Sequence, residues 1–78
     1  MFSTDHLPLA AYLTTVGYAA TAVRNPNNNR VMFNFTDSDV EHHVKVYQKG
    51  KGSVEPGAFE QNRIMLRRQI ERLQQGGG

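Results

Sequence analysis

The segment that decides the fold reads Arg30-Val31-Met32-Phe33-Asn34-Phe35-Thr36. Large apolar side chains at every second position are typical of a β-strand with one buried face. A second extended segment, Tyr18–Arg24, precedes it and carries β-branched residues and little charge. The connecting residues Asn25–Asn29 suit a loop, because asparagine tolerates positive φ and proline presets a turn. We therefore predict an antiparallel hairpin, which must pack on helices or join another sheet to be stable in water.

Helical signals flank this hairpin on both sides. Upstream, apolar residues recur at helical spacing, and we predict a helix over residues 5–16, with N-cap candidates at Ser3–Asp5. Gly17 suits the position that follows a helix end. Downstream, Ser38 and Glu41 have the spacing of a capping box, with Asp39 well placed for the helix dipole. The apolar face of this second helix consists of Val40, Val44 and Tyr47.

A third helix is predicted from Pro56, because proline suits the first helical position. Its apolar seam consists of Phe59, Leu66, Ile70 and Leu73. The expected architecture is a single α+β domain over residues 1–73 in the order α-β-β-α-α, with the antiparallel hairpin packed on helices. Residues 74–78 are expected to form a flexible C-terminal tail.

Length and composition restrict the protein class. A chain of 78 residues without cysteine has a small core and can form neither a disulfide nor a thiolate metal site. Such small domains often gain stability by self-association, so a homo-oligomer is expected. The chain has no apolar run long enough for a membrane span and no signal-peptide pattern at its start. We expect a cytoplasmic protein without a membrane partner.

Positive charge is concentrated in the second half of the chain. Residues 1–39 hold two arginines against three aspartates, whereas residues 40–78 hold seven basic against four acidic residues. Such a half can attract phosphate or an acidic partner. The candidate ligand-binding residues are Arg24, Arg30, His42, Lys45, Lys49, Lys51, Arg63 and Arg67. Three tyrosines are available for base stacking: Tyr12, Tyr18 and Tyr47.

Two basic segments each allow two interpretations. The helical arginines Arg63, Arg67, Arg68 and Arg72 form two i,i+4 rows. These rows can bind phosphate in the bidentate manner of guanidinium groups, or they can frame a helix–helix interface. The loop Lys49–Ser53 lacks the order of a P-loop, and it is either a phosphate contact near the start of the third helix or a solvated turn.

Other polar clusters favour structural roles. His42 and His43 point about 100° apart on a helix, so we expect one surface and one half-buried histidine and no metal site. Asp37, Asp39 and Glu41 coincide with a helix start, where capping explains them better than a cation site does. No nucleophile motif is present. We expect a protein that is not an enzyme and needs no cofactor.

Three further segments carry a resemblance. They are the start Ser3-Thr4-Asp5-His6-Leu7-Pro8-Leu9-Ala10-Ala11-Tyr12-Leu13 with Gly17-Tyr18, the strand Val31–Phe35, and Val54-Glu55-Pro56-Gly57-Ala58-Phe59. Over residues 3–73 the chain resembles a family of small phage and bacterial proteins that is known only as a domain of unknown function. The resemblance implies a phage or prophage origin. It supplies no catalytic residues.

Three functions follow as hypotheses. The first is a small phage-type accessory protein, a class that includes counter-defence proteins, that binds and sequesters an anionic ligand such as a nucleotide signal in the host cytoplasm. The second is a nucleic-acid-binding accessory protein, which the modest net charge of +2 disfavours. The third is an inhibitor that binds a host protein through its C-terminal helix. For the first hypothesis the pocket would lie between protomers, because a small domain rarely encloses such a ligand alone.

Overall fold

The computed structural model describes residues 1–50 and 52–76, and in these residues it contains three strands and three helices. In chain order the elements are β1 (Phe2–Thr4), α1 (Leu7–Val16), β2 (Thr21–Arg24), β3 (Val31–Phe35), α2 (Val40–Gln48) and α3 (Pro56–Gly76). The predicted α+β class and the α-β-β-α-α order are confirmed. One short strand, β1, precedes the first helix and turns the expected hairpin into a three-stranded sheet.

Strand β3 is the centre of the sheet, which is antiparallel in the order β1-β3-β2. Phe33 lies opposite Thr4 on one side and Ala22 on the other, so these residues share one face of the sheet. The predicted alternation is confirmed, because Val31, Phe33 and Phe35 are buried while the residues between them are partly exposed. The helices cover this buried face.

Strand β1 was not predicted, because Ser3 and Thr4 have the composition of helix caps. In the structure, Ser3 Oγ donates to Asn34 Oδ1 across the sheet at 2.6 Å. Thr4 Oγ1 accepts the His6 backbone N–H at 3.1 Å, while His6 itself occupies the N-cap position without a side-chain hydrogen bond. The segment Phe2–Thr4 is too short to show an alternation of apolar and polar side chains. It is a strand because it pairs with the edge of β3 that β2 leaves free.

The core forms between the sheet and the helices, with α1 at its centre. Helix α1 packs against α2, α3 and β1, and α3 packs against α1, β2 and β3. The buried apolar side chains are Leu9, Ala10, Ala11, Tyr12, Leu13, Val31, Phe33, Phe35, Val40, Val44 and Leu66. The two alanines let neighbouring elements approach α1 closely, which is how so small a domain closes a core.

The helix ends agree with the sequence in part. Gly17 follows α1 with φ +128°, and its N–H donates to the carbonyl oxygens of Leu13 and Thr14, as expected for a glycine in this position. The capping box of α2 is absent: Asp39 occupies the N-cap position without a side-chain hydrogen bond. Asp37 Oδ1 instead accepts the Asp39 N–H at 3.2 Å, so this carboxylate stabilises the turn before the helix.

Helix α3 begins at Pro56, as predicted, and continues through Gly76. It therefore extends beyond residue 73, whereas the sequence predicted a flexible tail from residue 74 onward. Gln74 Nε2 donates to the Asn29 carbonyl oxygen in the β2–β3 turn at 3.1 Å. This contact places the C-terminal part of α3 beside the hairpin.

Neighbouring residues of α3 provide a test of this packing. Leu66 is 1% exposed and Met65 is 42% exposed. Leu66→Ala should lower the free energy of unfolding by about 2–5 kcal/mol, because it removes buried methyl groups and leaves a cavity. Met65→Ala, the control on the solvent side, should change it by no more than about 1 kcal/mol. Urea denaturation followed by circular dichroism measures both, and equal effects would contradict the packing.

Candidate anion-binding surface

The structure distributes the predicted ligand-binding residues over separate elements. Arg24 and Arg30 lie at the turn end of the hairpin, where Arg24 Nη1 donates to Asn29 Oδ1 at 3.2 Å. Arg30 pairs with Asp5 at 3.1 Å, and both side chains remain largely exposed. Lys51 lies outside the described residues. The hairpin arginines therefore stabilise the loop and the end of β1, and they do not form one pocket with the helical candidates.

Helix α2 carries His42 and Lys45, and Lys49 follows it at the C-cap; all three are exposed. His43 is half-buried, and its ring lies 5.4 Å from the Tyr18 ring between centroids. Partial burial is the main cause that raises the pKa of the Tyr18 hydroxyl, and the negative charges of Asp39 and Asp37 raise it further. The expected division into one surface and one half-buried histidine is confirmed.

The two α3 arginines among the candidates are each paired with a glutamate of the same helix. Arg63 donates to both carboxylate oxygens of Glu60. Arg67 Nε lies 3.7 Å from Glu71 Oε1. The hydrogen bond to Glu60, and then its charge, raise the pKa of Arg63, while the same hydrogen bond lowers the pKa of Glu60. These pairs reduce the positive charge on this side of α3.

The other two arginines of the helix, Arg68 and Arg72, lie one turn apart on a different side. In the part of the chain that the structure describes, the ion pairs are Arg30–Asp5, Arg63–Glu60 and Arg67–Glu71, so neither Arg68 nor Arg72 has a carboxylate partner. Both line a shallow depression of about 520 Å³. We call its lining the basic α3 face: Gln61, Ile64, Met65, Arg68, Gln69 and Arg72.

The basic α3 face combines three kinds of chemistry. The arginines supply paired donors for an anion, and the two glutamines supply neutral donors and acceptors. Ile64 and Met65 are 39% and 42% exposed, which leaves an apolar surface between these polar groups. Such a surface can hold a phosphate together with a flat or apolar group.

A second groove, of about 370 Å³, joins this face to the sheet. Gln69 and Arg72 belong to both depressions, so the surface is continuous from the exposed side of α3 to strand β2. The groove is lined by Ala20, Thr21, Ala22, Gln69, Arg72 and Leu73. Arg72 therefore lies where α3 meets an edge of the sheet.

The start of α3 is less suited to an anion than the sequence suggests. The side chain of Glu55 accepts the backbone N–H groups of Gly57 and Ala58. These hydrogen bonds lower the pKa of Glu55 below its ordinary value of 4.5, and the one from Ala58 has the larger effect. A phosphate bound there through the Lys49–Ser53 loop would have to displace this carboxylate.

The tyrosines proposed for base stacking differ in accessibility. Tyr12 is buried, with its ring 5.2 Å from the Tyr47 ring between centroids. Both rings line an apolar hollow of about 340 Å³ together with Gly52, Ser53, Val54, Pro56 and Phe59. A Cβ on Gly52 would lie 2.8 Å from Tyr12 Cε1, so the chain after α2 packs directly on this ring. The hollow lies where α1, α2 and the start of α3 meet, and it is lined by none of the arginines.

Arg68 and Arg72 belong to the arginine rows, but they are not among the ligand-binding residues singled out from the sequence. Glu60 lies three residues before Arg63, so that pairing could have been expected from helical spacing. Glu71 lies within reach of Arg67 at i+4 and of Arg68 at i+3. Only the structure resolves this competition, since Glu71 contacts Arg67 and leaves Arg68 unpaired.

Two other kinds of feature, a metal cluster and a membrane-spanning helix, are absent from the described residues. Among residues 1–50 and 52–76, no group of three or more histidine, aspartate or glutamate side chains is arranged to hold a metal ion. No helix in the described part of the chain has the length and apolar character needed to cross a membrane. Comparison with protein-family models, curated proteins and solved structures finds no match for this chain.

The Glu55 cap makes a pH-dependent contribution that can be tested. A carboxylate whose pKa is lower in the folded than in the unfolded state contributes stability above its unfolded pKa of 4.5, and this contribution is lost as the pH falls through the folded pKa. Glu55→Ala should therefore lower the melting temperature at pH 7, and its difference from wild type should shrink below about pH 4. Thermal denaturation across this pH range measures it.

Glu41→Ala is the matched control. It also removes an exposed glutamate from the start of a helix, but Glu41 makes no side-chain hydrogen bond or ion pair to any described residue. A larger loss of stability in Glu41→Ala than in Glu55→Ala would contradict the cap.

Proposed function

We propose that this protein is a small, non-catalytic binding protein that sequesters an anionic ligand carrying phosphate, such as a nucleotide signal, on the basic α3 face. The supporting observation is that Arg68 and Arg72 lie one turn apart on this face without a carboxylate partner in the described part of the chain. Two guanidinium groups at this spacing can hold one phosphate through several charge-assisted hydrogen bonds.

The remaining lining favours a ligand with more than a phosphate. Gln61 and Gln69 can bond the edge of a base or a sugar hydroxyl, and Ile64 and Met65 offer apolar contact to a flat ring. The depression is shallow and open on a single chain, whereas sites for small ligands usually enclose most of the ligand. The proposal therefore includes a homo-oligomer in which a second chain helps to cover the ligand.

The biological setting of the proposal comes from the sequence resemblance. A phage-encoded protein of this kind would act in the host cytoplasm as an accessory, counter-defence factor that lowers the free concentration of a nucleotide signal. Sequestration requires tight binding and no chemistry.

Two alternative functions use the same face differently. A nucleic-acid-binding protein would show affinity that falls steeply with salt and depends little on nucleotide identity. An inhibitor of a host protein would use the exposed Ile64 and Met65 as its main contacts. Both alternatives remain proposals. Sequestration of a nucleotide is preferred to them because it places more of the basic α3 face in contact with the ligand.

Paired and unpaired arginines of α3 provide the decisive comparison. Calorimetric titration of wild type against mono-, di- and cyclic nucleotides should identify a ligand. Arg68→Gln and Arg72→Gln should each weaken its binding by roughly 10- to 150-fold, because each loses a charge-assisted hydrogen bond of about 1.5–3 kcal/mol. Arg63→Gln and Arg67→Gln, made as single variants, each remove the same one charge from the same helix and should each weaken binding by less than about tenfold.

The outcomes separate the hypotheses. If the Arg63 and Arg67 variants lost as much affinity as the Arg68 and Arg72 variants, net charge alone would attract the ligand. That result would contradict a site on the basic α3 face. Absence of heat with every nucleotide would contradict the nucleotide proposal, and a mobility shift of DNA or RNA at low salt would then favour nucleic-acid binding.

A further inference from the structure

Strand β2 is an edge of the sheet with unpaired main-chain groups. It pairs with β3 alone, and Asn25 N donates to the Arg30 carbonyl oxygen at 2.7 Å where the hairpin closes. Since successive N–H groups of a strand point to opposite sides, those of Val23 and Thr21 also point toward β3. The N–H and C=O groups of Ala22 and Arg24 therefore point outward, where another strand can bond them.

The open face of β2 presents no charge that would guard this edge against pairing, whereas Arg24 lies on the opposite face of the strand, beside Val31. Edge strands of monomeric proteins are usually guarded by lysine, proline or an inward-pointing charge. Val23 is 46% exposed on the open face of the sheet, and its neighbours there, Thr21 and Met32, are uncharged. The guanidinium of Arg24 donates to Asn29 within its own hairpin. A second strand could thus approach β2 without meeting a free charge on that face.

Helix α3 lies in a position that tolerates such a neighbour. It contacts both β2 and β3, and Gln74 reaches Asn29 while Gln69 and Arg72 line the groove along Ala20–Ala22. If two sheets join at β2, helices lying over β2 and β3 of each chain are separated by about two strand spacings, roughly 10 Å. This is the normal distance between packed helices, so the joined sheet leaves room for both.

We propose that a second copy of this chain pairs with β2 in antiparallel orientation, so that Val23 lies opposite Val23 of the second copy and Arg72 of both copies lines one anion site at the seam. Ala22 and Arg24 then exchange main-chain hydrogen bonds across the two-fold axis, and the two three-stranded sheets become one of six strands. The anion site at the seam rests on the proposed function, whereas the strand pairing does not.

The second edge, β1, fits such a partner less well. It has three residues and leads through two more into α1, whereas β2 has four residues and lies beside the groove that contains Arg72. The groove is therefore next to the proposed seam. Two Arg72 side chains near one axis repel each other, so an anion between them favours the dimer.

A single engineered cysteine tests the pairing, because the chain has none of its own. In a pair without main-chain hydrogen bonds the Cα atoms lie about 4.5 Å apart, which is within the range for a disulfide. Val23→Cys should form a covalent dimer under mild oxidation. Thr21→Cys is the matched control on the same face, since the two copies of residue 21 would lie about 14 Å apart along the strands and should not cross-link.

The role of Arg72 is tested by sedimentation of the wild-type protein with and without inorganic phosphate or the nucleotide found by calorimetry. The anion should lower the dimer dissociation constant by about tenfold or more. Arg72→Gln should remove this dependence on the anion. Val23→Cys, Arg72→Gln should still cross-link, because the strand pairing is unchanged.

Each result supports or overturns a defined part of the proposal. A monomeric wild type whose Val23→Cys variant does not cross-link overturns the strand pairing, even if calorimetry shows a ligand. Equal cross-linking of Val23→Cys and Thr21→Cys overturns the register. A cross-linked dimer whose stability ignores every anion overturns the shared site and leaves the pairing supported.

Discussion

The structure depends on the burial of one face of β3 while both of its edges are paired. Phe33 is fully buried and lies opposite Thr4 of β1 and Ala22 of β2, so both outer strands are held by the same residue position. Small side chains flank the phenyl ring on the sheet, and the same buried cluster includes Ala10, Ala11 and Leu13 of α1. Because the whole core consists of a few such contacts, the helices and the sheet are stable only together.

This constraint determines where functional groups can lie. The buried faces of the helices hold few polar groups, and a long helix such as α3 needs only its apolar seam to pack. The rest of α3 is free to carry charge, which it does on two sides. One side is partly neutralised by Glu60 and Glu71, and the other presents Arg68 and Arg72 to solvent. Under the proposed function, this difference between the two sides, more than net charge, directs an anion to the side of Arg68 and Arg72.

The position of α3 over the edge of the sheet relates binding to assembly. Arg72 lines both the depression on α3 and the groove beside β2, so a ligand on this helix and a strand added to β2 would be neighbours. In the proposed dimer, a second copy would enclose the shallow site further and would add its own Arg72 guanidinium to the anion site. Self-association and ligand binding would then strengthen each other.

The sequence by itself determined the local elements: the period of two in β3, the apolar seams of the helices, Pro56 at the start of α3 and Gly17 after α1. These signals arise within a few residues, so they can be detected without the fold. Only the tertiary structure decided that Phe2–Thr4 is a strand, because that depends on the free edge of β3. It also decided which arginine pairs with Glu71, since two lie within reach of it along the helix. The features that the sequence determined depend on local propensity. Those that the structure decided depend on which groups meet as partners in the folded chain.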